Sequence, residues 1–134
     1  MDWCLNAGGD VVVISPSGQP FAVGVQDPRD ALRVAAAVPC SAGAVATSGT
    51  GARGAHLYDP RVGSPASSHW RSITVVGPSL ETADVLATAA FVAGDQWQDV
   101  LARVPGYEGL GIDGHGALRT TRGWPNGSHG RLGA

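Results

Sequence analysis

The sequence predicts an α+β fold in which an antiparallel or mixed sheet carries two helices on one face. Short β-branched or alternating segments between glycine and proline turns occupy the first 76 residues. A well-capped helical segment follows at 80–93, and a second begins after residue 94. Strands that precede a pair of helices are typical of a sheet with its helices on one side. We predict one domain at 1–113 and a flexible Gly/Arg-rich tail at 114–134.

The first predicted strands lie in the amino-terminal part of the chain. Asp10–Ser15 and Phe21–Val25 are apolar runs separated by a turn rich in proline and glycine, so we expect them to form a hairpin. Leu32–Val38 and Ala42–Ala46 are further predicted strands. The alanine content of Leu32–Val38 leaves a helix open as the alternative.

The remaining non-helical segments differ in how strongly they indicate structure. Trp70–Val76 has the clearest β pattern of the chain, whereas Thr47–Gly54 is polar and glycine-rich and is predicted to be a surface loop. Weak strands are expected at Leu110–Ile112 and Ala117–Thr120. From Thr121 onward the sequence offers almost nothing to bury, so we expect a flexible tail.

The most convincing helix is predicted at Leu80–Ala93. Ser79 is a good N-cap, and Gly94 supplies the C-terminal stop. A second helix is predicted to start with Asp95 as N-cap and to end at Gly106.

Composition limits the classes of partner. The formal charge is −2 with 15% charged residues and no run of Lys or Arg, so nucleic acid is an unfavourable partner. No apolar run is long enough to span a bilayer, and the start lacks the features of a signal peptide, so we expect no export address. Aromatic residues make up 6%, which predicts packing through small side chains. Cys4 and Cys40 form no Cys-x-x-Cys motif and are predicted to be buried.

Asp84 and Thr88 are the most informative polar pair. They are four residues apart on the predicted helix, so their oxygens lie one turn above each other, next to a core stripe of Ala83, Leu86 and Ala90. Mg²⁺ takes oxygen ligands of this kind, usually one or two carboxylates together with substrate phosphates. Spacing alone leaves a second interpretation open, in which Asp84 is solvated and Thr88 bonds back to its own helix.

Two loop features are candidates for substrate contact. His56 follows a Gly-rich loop and precedes Asp59-Pro60, as an acid/base or substrate-contacting residue can, although a surface role is equally compatible. The loop at 46–51 consists of small residues and can present backbone amides to a phosphate, yet it matches no known phosphate-binding motif. An ordinary loop is the alternative.

Five short blocks, taken in order, resemble the FAD:protein FMN transferases of the ApbE type. They are residues 6–10 (Asn-Ala-Gly-Gly-Asp), 20–28 (Pro-Phe-Ala-Val-Gly-Val-Gln-Asp-Pro), 46–49 (Ala-Thr-Ser-Gly), 56–63 (His-Leu-Tyr-Asp-Pro-Arg-Val-Gly) and 83–88 (Ala-Asp-Val-Leu-Ala-Thr). The resemblance covers roughly residues 5–112. It implies the C-terminal part of the ApbE-type fold.

The resemblance also implies a function and a set of site residues. Enzymes of this family use Mg²⁺ to transfer FMN from FAD to a Thr of a client flavoprotein, forming a phosphoester and releasing AMP. Asp84 and Thr88 correspond to the family's metal ligands. His56 corresponds to a catalytic or positioning residue, and Ser48, His56 and Leu57 are expected to contact FAD.

The resemblance is incomplete in two places. Val62 occupies a position where the family usually has Thr. The preceding half of the family's pattern, with its Lys-Gly-Tyr-Ala-x-Asp segment, has no counterpart in this sequence. The alternatives are therefore a transferase, a catalytically dead remnant, or an interaction module that pairs with a complementary N-terminal half chain or with a second copy. Members of the family often work at the extracytoplasmic face of the membrane, which leaves the compartment undetermined.

Overall fold

The structure is a computed structural model that describes residues 1–7, 9–49, 58–59, 64–65 and 69–125. The chain is α+β, as predicted. Its strands are β1 (Trp3–Ala7), β2 (Asp10–Ile14), β3 (Phe21–Asp27), β4 (Asp30–Cys40), β5 (Ala42–Gly49), β6 (Tyr58–Asp59), β7 (Ser64–Pro65), β8 (Trp70–Gly77), β9 (Glu108–Asp113) and β10 (Leu118–Thr120). The helices are α1 (Leu80–Ala93) and α2 (Trp97–Ala102), joined by a 3₁₀ turn at Gly94–Gln96.

Six of these strands form one antiparallel sheet in the order β1-β2-β5-β8-β9-β10. β3 and β4 pair with each other in a separate two-stranded sheet, called the hairpin layer below. The predicted hairpin between the segments at Asp10 and Phe21 is therefore wrong, because β2 pairs with β1 and β5 instead. Alternating apolar residues show that a segment is a strand, but they do not say which strand lies beside it.

The sheet is covered on both faces, which makes three layers. On one face the hairpin layer contributes Val23, Val25 and Val38 to a core that also contains Val11 and Val13 of β2. The helices cover the opposite face. Because successive residues of a strand point to opposite sides, each central strand supplies side chains to both cores.

The prediction for α1 is confirmed at both ends. The Ser79 side chain accepts a hydrogen bond from the backbone amide of Thr82, and Gly94 ends the helix with a positive φ of 64°. The second helix differs from its prediction: Asp95 lies inside the 3₁₀ turn, and α2 ends at Ala102, before Gly106. A short 3₁₀ turn at a helix end is common and leaves no sequence signal of its own.

The helix face is packed with both small and large side chains. The buried residues of α1 are mostly alanines, as the composition predicts, but Trp97 is the largest fully buried side chain of the described residues. Room for its ring comes from Gly111, where an added Cβ would lie 3.0 Å from the indole. The expectation of a core without large aromatic anchors is therefore wrong.

Three further expectations are corrected by burial and pairing. Thr47–Gly49 belongs to β5, so the predicted loop is wrong for these residues, and residues 50–54 lie outside the described part. Cys40 is buried as expected, whereas Cys4 is exposed. Trp124 is buried in the core beneath the hairpin layer, so the segment after Thr121 does have something to bury. Residues 126–134 lie outside the described part.

Candidate functional site

The helix α1 places Asp84 and Thr88 on one flank of its buried stripe. The buried residues of the helix are Ala83, Leu86, Ala87, Ala90 and Phe91. Asp84 and Thr88 are half-buried beside this stripe, one helical turn apart. The carboxylate and the hydroxyl therefore share the flank of the helix that the spacing predicts.

The end of β5 brings a third oxygen to this flank. Ser48 is only 2% exposed, and its hydroxyl lies 3.0 Å from the Thr88 hydroxyl, within hydrogen-bond distance. The two residues are 40 positions apart in sequence. Ser48 was expected to contact FAD. The structure places its side chain against Thr88, so its contribution to a site would be to hold that hydroxyl in position.

The neighbouring residue of β5 points to the other face of the sheet. The Thr47 hydroxyl lies 2.8 Å from that of Thr74 on β8. The backbone amide of Thr47 donates a 3.3 Å hydrogen bond to the Asp10 carboxylate. The end of β5 thus carries one hydroxyl contact on each side of the sheet, and the backbone amide of Thr47 bonds to Asp10. Sequence reasoning assigned no role to Asp10, although it belongs to the Gly-Gly-Asp block that carried the resemblance.

A cleft of about 330 Å³ opens beside Asp10 and Thr47, between the ends of β1 and β2 and the hairpin layer. Its lining includes residues from three of the blocks that carry the resemblance, among them Asn6, Gly9, Asp10, Phe21 and Thr47. The Gly9 amide bonds to the Asn6 side chain at 3.1 Å, and Gly9 has a positive φ of 97°. A glycine is favoured here by backbone conformation.

Asp27 holds the end of the hairpin layer. Its side chain is buried and accepts hydrogen bonds from the Arg29 side chain at 3.0 and 3.2 Å and from the Arg29 amide at 2.9 Å. These bonds, the side-chain ones above all, lower the pKa of Asp27 below its ordinary value. The Asp-Pro step of the second block therefore has a structural role in this chain.

The structure describes the predicted metal ligands Asp84 and Thr88, but it does not describe the predicted catalytic residue His56. In the part of the chain that the structure describes, no three His, Cys, Asp or Glu side chains come close enough together to hold a metal ion. Two oxygen donors, Asp84 and Thr88, remain the candidates, a number that suits Mg²⁺ when a substrate phosphate supplies further ligands. His56 and Leu57 lie outside the described residues. None of the described helices has the length and apolar run that a membrane crossing requires.

Taken together, the geometry defines a three-layer α+β domain with a carboxylate–hydroxyl pair on one face of its sheet and a cleft of mixed polar and apolar lining at the other. The ApbE family model matches residues 1–110. The chain therefore belongs to the ApbE family.

Individual relatives agree with this assignment. The chain is 34% identical over 106 residues to the FAD:protein FMN transferase of Haemophilus influenzae, covering 70% of this chain and 31% of that protein. It is 34% identical over 117 residues to the FAD:protein FMN transferase of Treponema pallidum, covering 78% of this chain and 32% of that protein. The chain thus spans about a third of the length of these curated relatives.

Solved structures show the same fold. The crystal structure of the ApbE protein from Thermotoga maritima superimposes with a TM-score of 0.77 at 35% identity, covering 90% of this chain and 43% of that one. The flavin transferase ApbE from Vibrio cholerae gives a TM-score of 0.63 at 27% identity, covering 87% of this chain and 40% of that one. The sheet with its helix layer is therefore the ApbE-type fold that the resemblance predicted.

Proposed function

We propose that this chain supplies part of the active site of an FAD:protein FMN transferase. In this reaction the FMN moiety of FAD is transferred through its phosphoryl group to the hydroxyl of a Thr on a client flavoprotein. A phosphoester bond forms, the diphosphate bond of FAD breaks, and AMP leaves. The observation that supports the proposal best is the contact between Ser48 and Thr88 on the flank of α1 that also carries Asp84. The names of the relatives from Haemophilus influenzae and Treponema pallidum point to the same reaction.

The donor atoms on this flank fit Mg²⁺. Asp84 offers a carboxylate and Thr88 a hydroxyl, which are hard oxygen ligands, and neither sulfur nor imidazole is part of the pair. When bound, Mg²⁺ would polarise the FAD diphosphate and offset the negative charge that develops during transfer.

In the proposed reaction, individual residues of this chain have separate roles. Ser48 limits the rotation of the Thr88 hydroxyl, because the two oxygens lie within hydrogen-bond distance and Ser48 is buried. Asp84 supplies the negative charge that binds the cation. We propose His56 as the catalytic or positioning residue near the transferred phosphoryl group, and Leu57 as an FAD contact. Both assignments rest on the His-Leu-Tyr-Asp-Pro block of the sequence.

A second polypeptide segment is part of the proposal. FAD affinity requires several preorganised contacts at once, and this chain corresponds to about a third of the length of the transferases that it matches. We propose that a complementary segment completes the cleft. A domain that binds a partner without catalysing transfer is the competing function, and the exposed apolar side chains of Trp3 and Leu5 on β1 favour it.

An FAD titration followed by flavin fluorescence tests the site, with Mg²⁺ in one series and EDTA in the other. We expect Mg²⁺-dependent binding, and we expect Asp84→Asn to raise the dissociation constant about tenfold or more, since it removes the only carboxylate of the pair. Thr88→Val should weaken binding in the same direction, with Thr88→Ser restoring it.

Glu81→Gln is the matched control, because it removes an exposed carboxylate from the first turn of the same helix. It should bind FAD like the unchanged chain. Equal Mg²⁺-dependent affinity in Asp84→Asn and Glu81→Gln would contradict the proposed site, and the absence of binding at millimolar FAD would support the competing function, a domain without catalysis.

A further inference from the structure

Two cysteines from different layers border the same core. Cys4 on β1 lies directly opposite Val13 of β2, and Val13 is 1% exposed in the core beneath the hairpin layer. Directly opposed residues of an antiparallel pair share a face, so the Cys4 side chain points toward the hairpin layer. Cys40 is the last residue of β4 in that layer and is buried in the same core.

The cleft beside Asp10 and Thr47 brings the two thiols to the same region. Cys4 and Phe21 both line this cleft, and Phe21 lies directly opposite Cys40 in the hairpin layer. An electrostatic effect agrees with this placement. Burial raises the pKa of the Cys40 thiol most, and the negative charge of the Cys4 thiolate raises it further. Cys4 therefore lies on the sheet side of the cleft, and Cys40 lies next to its hairpin side.

The two thiols differ in their access to solvent. Cys4 is exposed, whereas Cys40 is only 6% exposed. A soluble oxidant therefore reaches Cys4 first, while the raised pKa keeps Cys40 a protonated thiol that reacts slowly with reagents in solution. Cysteines that sense oxidants are typically accessible and often lie next to a second cysteine that resolves the first product. Cys4 and Cys40 have these two positions.

The outer position of β1 allows the two layers to approach each other. Among the described strands, β1 pairs only with β2. A strand that is bonded along one edge opens more easily than a central strand. A disulfide requires the two Cα atoms to lie about 4.4–6.8 Å apart. Movement of β1 toward the end of β4 brings the thiols together, and it narrows the cleft that Cys4 lines.

We propose that Cys4 and Cys40 form a reversible disulfide that closes this cleft under oxidising conditions. The oxidant is a small-molecule disulfide such as oxidised glutathione. The Cys4 thiolate attacks it, a mixed disulfide forms at Cys4, and one reduced glutathione leaves. Cys40, after loss of its proton, attacks the sulfur of Cys4, and the second glutathione leaves. The two cysteines lose two electrons and two protons, which the two released glutathione thiols carry away.

Equilibration of the full chain with oxidised and reduced glutathione tests the proposal. Peptide mass spectrometry should find Cys4 joined to Cys40, with a mass lower than that of the reduced chain by two hydrogens. The melting temperature should rise by about 5–15 °C, because the bond closes a long loop of the unfolded chain. Amide hydrogen exchange in β1 should slow about tenfold or more, since the strand is then held on both sides.

Substitutions separate the roles of the two cysteines. Cys40→Ala removes the resolving thiol and keeps a small apolar side chain in the core. Glutathione should then remain attached to Cys4, and the slower exchange in β1 should be absent. Cys4→Ser is the matched control, because it leaves only the buried thiol, which should stay unmodified. Circular dichroism verifies folding. If Cys40→Ala is unfolded, loss of the bond in Cys4→Ser together with the joined peptides of the unchanged chain makes the same assignment.

Three results would overturn the inference. They are glutathione that stays on Cys4 of the unchanged chain, a dimer linked through Cys4 as the main product, and a bond between Cys4 and Cys40 that leaves hydrogen exchange in β1 unchanged. All samples lack FAD and Mg²⁺. The outcome is therefore independent of the proposed flavin transfer, which the fluorescence titration with FAD tests by itself.

Discussion

The two ends of the main sheet are completed in different ways on the helix face. At the β8–β9 end, Trp97 and Leu101 of α2 lie on glycines of the sheet, and the Tyr107 ring lies on Gly77. At the β1–β2 end, Trp3 and Leu5 of the outer strand are 44% and 57% exposed. The hairpin layer covers the opposite face at both ends, because its core includes residues of β2, β5 and β9.

This difference shows that one sheet can combine a closely packed end with an end whose apolar side chains are exposed. At the β8–β9 end, glycines on the strands have no side chain, so aromatic rings approach the backbone and packing is close and specific. At the β1–β2 end, the large apolar side chains of Trp3, Leu5 and Ile14 are exposed. The same residue type, tryptophan, is therefore part of the core at one end and exposed at the other.

Truncation of a tryptophan at each end tests the comparison most directly. Trp97→Ala should lower the free energy of unfolding by about 3–5 kcal/mol, because Trp97 is 1% exposed and its removal leaves a large cavity. Trp3→Ala should change it by less than about 0.5 kcal/mol, as expected at an exposed position. Urea unfolding followed by circular dichroism measures both. Similar losses at the two positions would show that the ends do not differ.

The contact of the Tyr107 ring with Gly77 at the β8–β9 end predicts a loss of stability on substitution of Gly77, smaller than the loss expected for Trp97→Ala. An added Cβ there would overlap the Tyr107 ring, so Gly77→Ala should cost about 1–3 kcal/mol in unfolding free energy. Gly114→Ala is the control, because the nearest atom to its Cβ would be Arg71 Nε at an ordinary distance of 3.5 Å. If thermal or urea unfolding shows equal stability for the two variants, the ring does not lie on Gly77.

The hairpin layer, which covers both ends, gives the smallest expected effect. Its Asp27 has a pKa held below the ordinary value of 3.8, chiefly by hydrogen bonds from the Arg29 side chain. A lowered folded pKa stabilises the protein above pH 3.8, and this contribution is lost as the pH falls through the folded value. Asp27→Asn should therefore destabilise at neutral pH by about 1 kcal/mol.

The pH dependence separates this effect from a simple packing change. The difference between the Asp27→Asn variant and the unchanged chain should shrink in urea unfolding as the pH is lowered below 3.8. Arg29→Gln should remove the same acid-sensitive part of the stability, since it removes the main donor. A loss that stays constant with pH would rule out the Asp27–Arg29 hydrogen bonds as its cause.

The sequence predicted correctly those helix ends and strands that depend on interactions within a few residues. Ser79 and Gly94 fixed both ends of α1, because a cap bonds to amides or carbonyls within its own turn. The β-branched run at Trp70–Val76 likewise gave β8. The strand at Trp3–Ala7 gave no clear signal in the sequence, since it is only five residues long and its Trp3, Cys4 and Leu5 side chains are all exposed.

The candidate site was predicted in part. The spacing of Asp84 and Thr88 on one helix flank followed from the sequence, because a helical turn fixes it. The contact of Ser48 with Thr88 did not, since it joins residues from a strand and a helix that meet only when the layers pack. The roles of His56 and Leu57 remain predictions from their sequence block.

The sequence by itself determined the α+β class, the ends of α1, the Asp84–Thr88 spacing and, through its ordered motifs, the ApbE family. Only the tertiary structure decided which strands pair, that the Ser48 hydroxyl faces Thr88 while the Thr47 hydroxyl faces Thr74, and that Trp3 is exposed while Trp97 is buried. The physical reason is the range of the interactions. Caps and helical spacing act within a few residues, whereas strand pairing and layer packing depend on contacts between residues far apart in the chain, which no local pattern encodes.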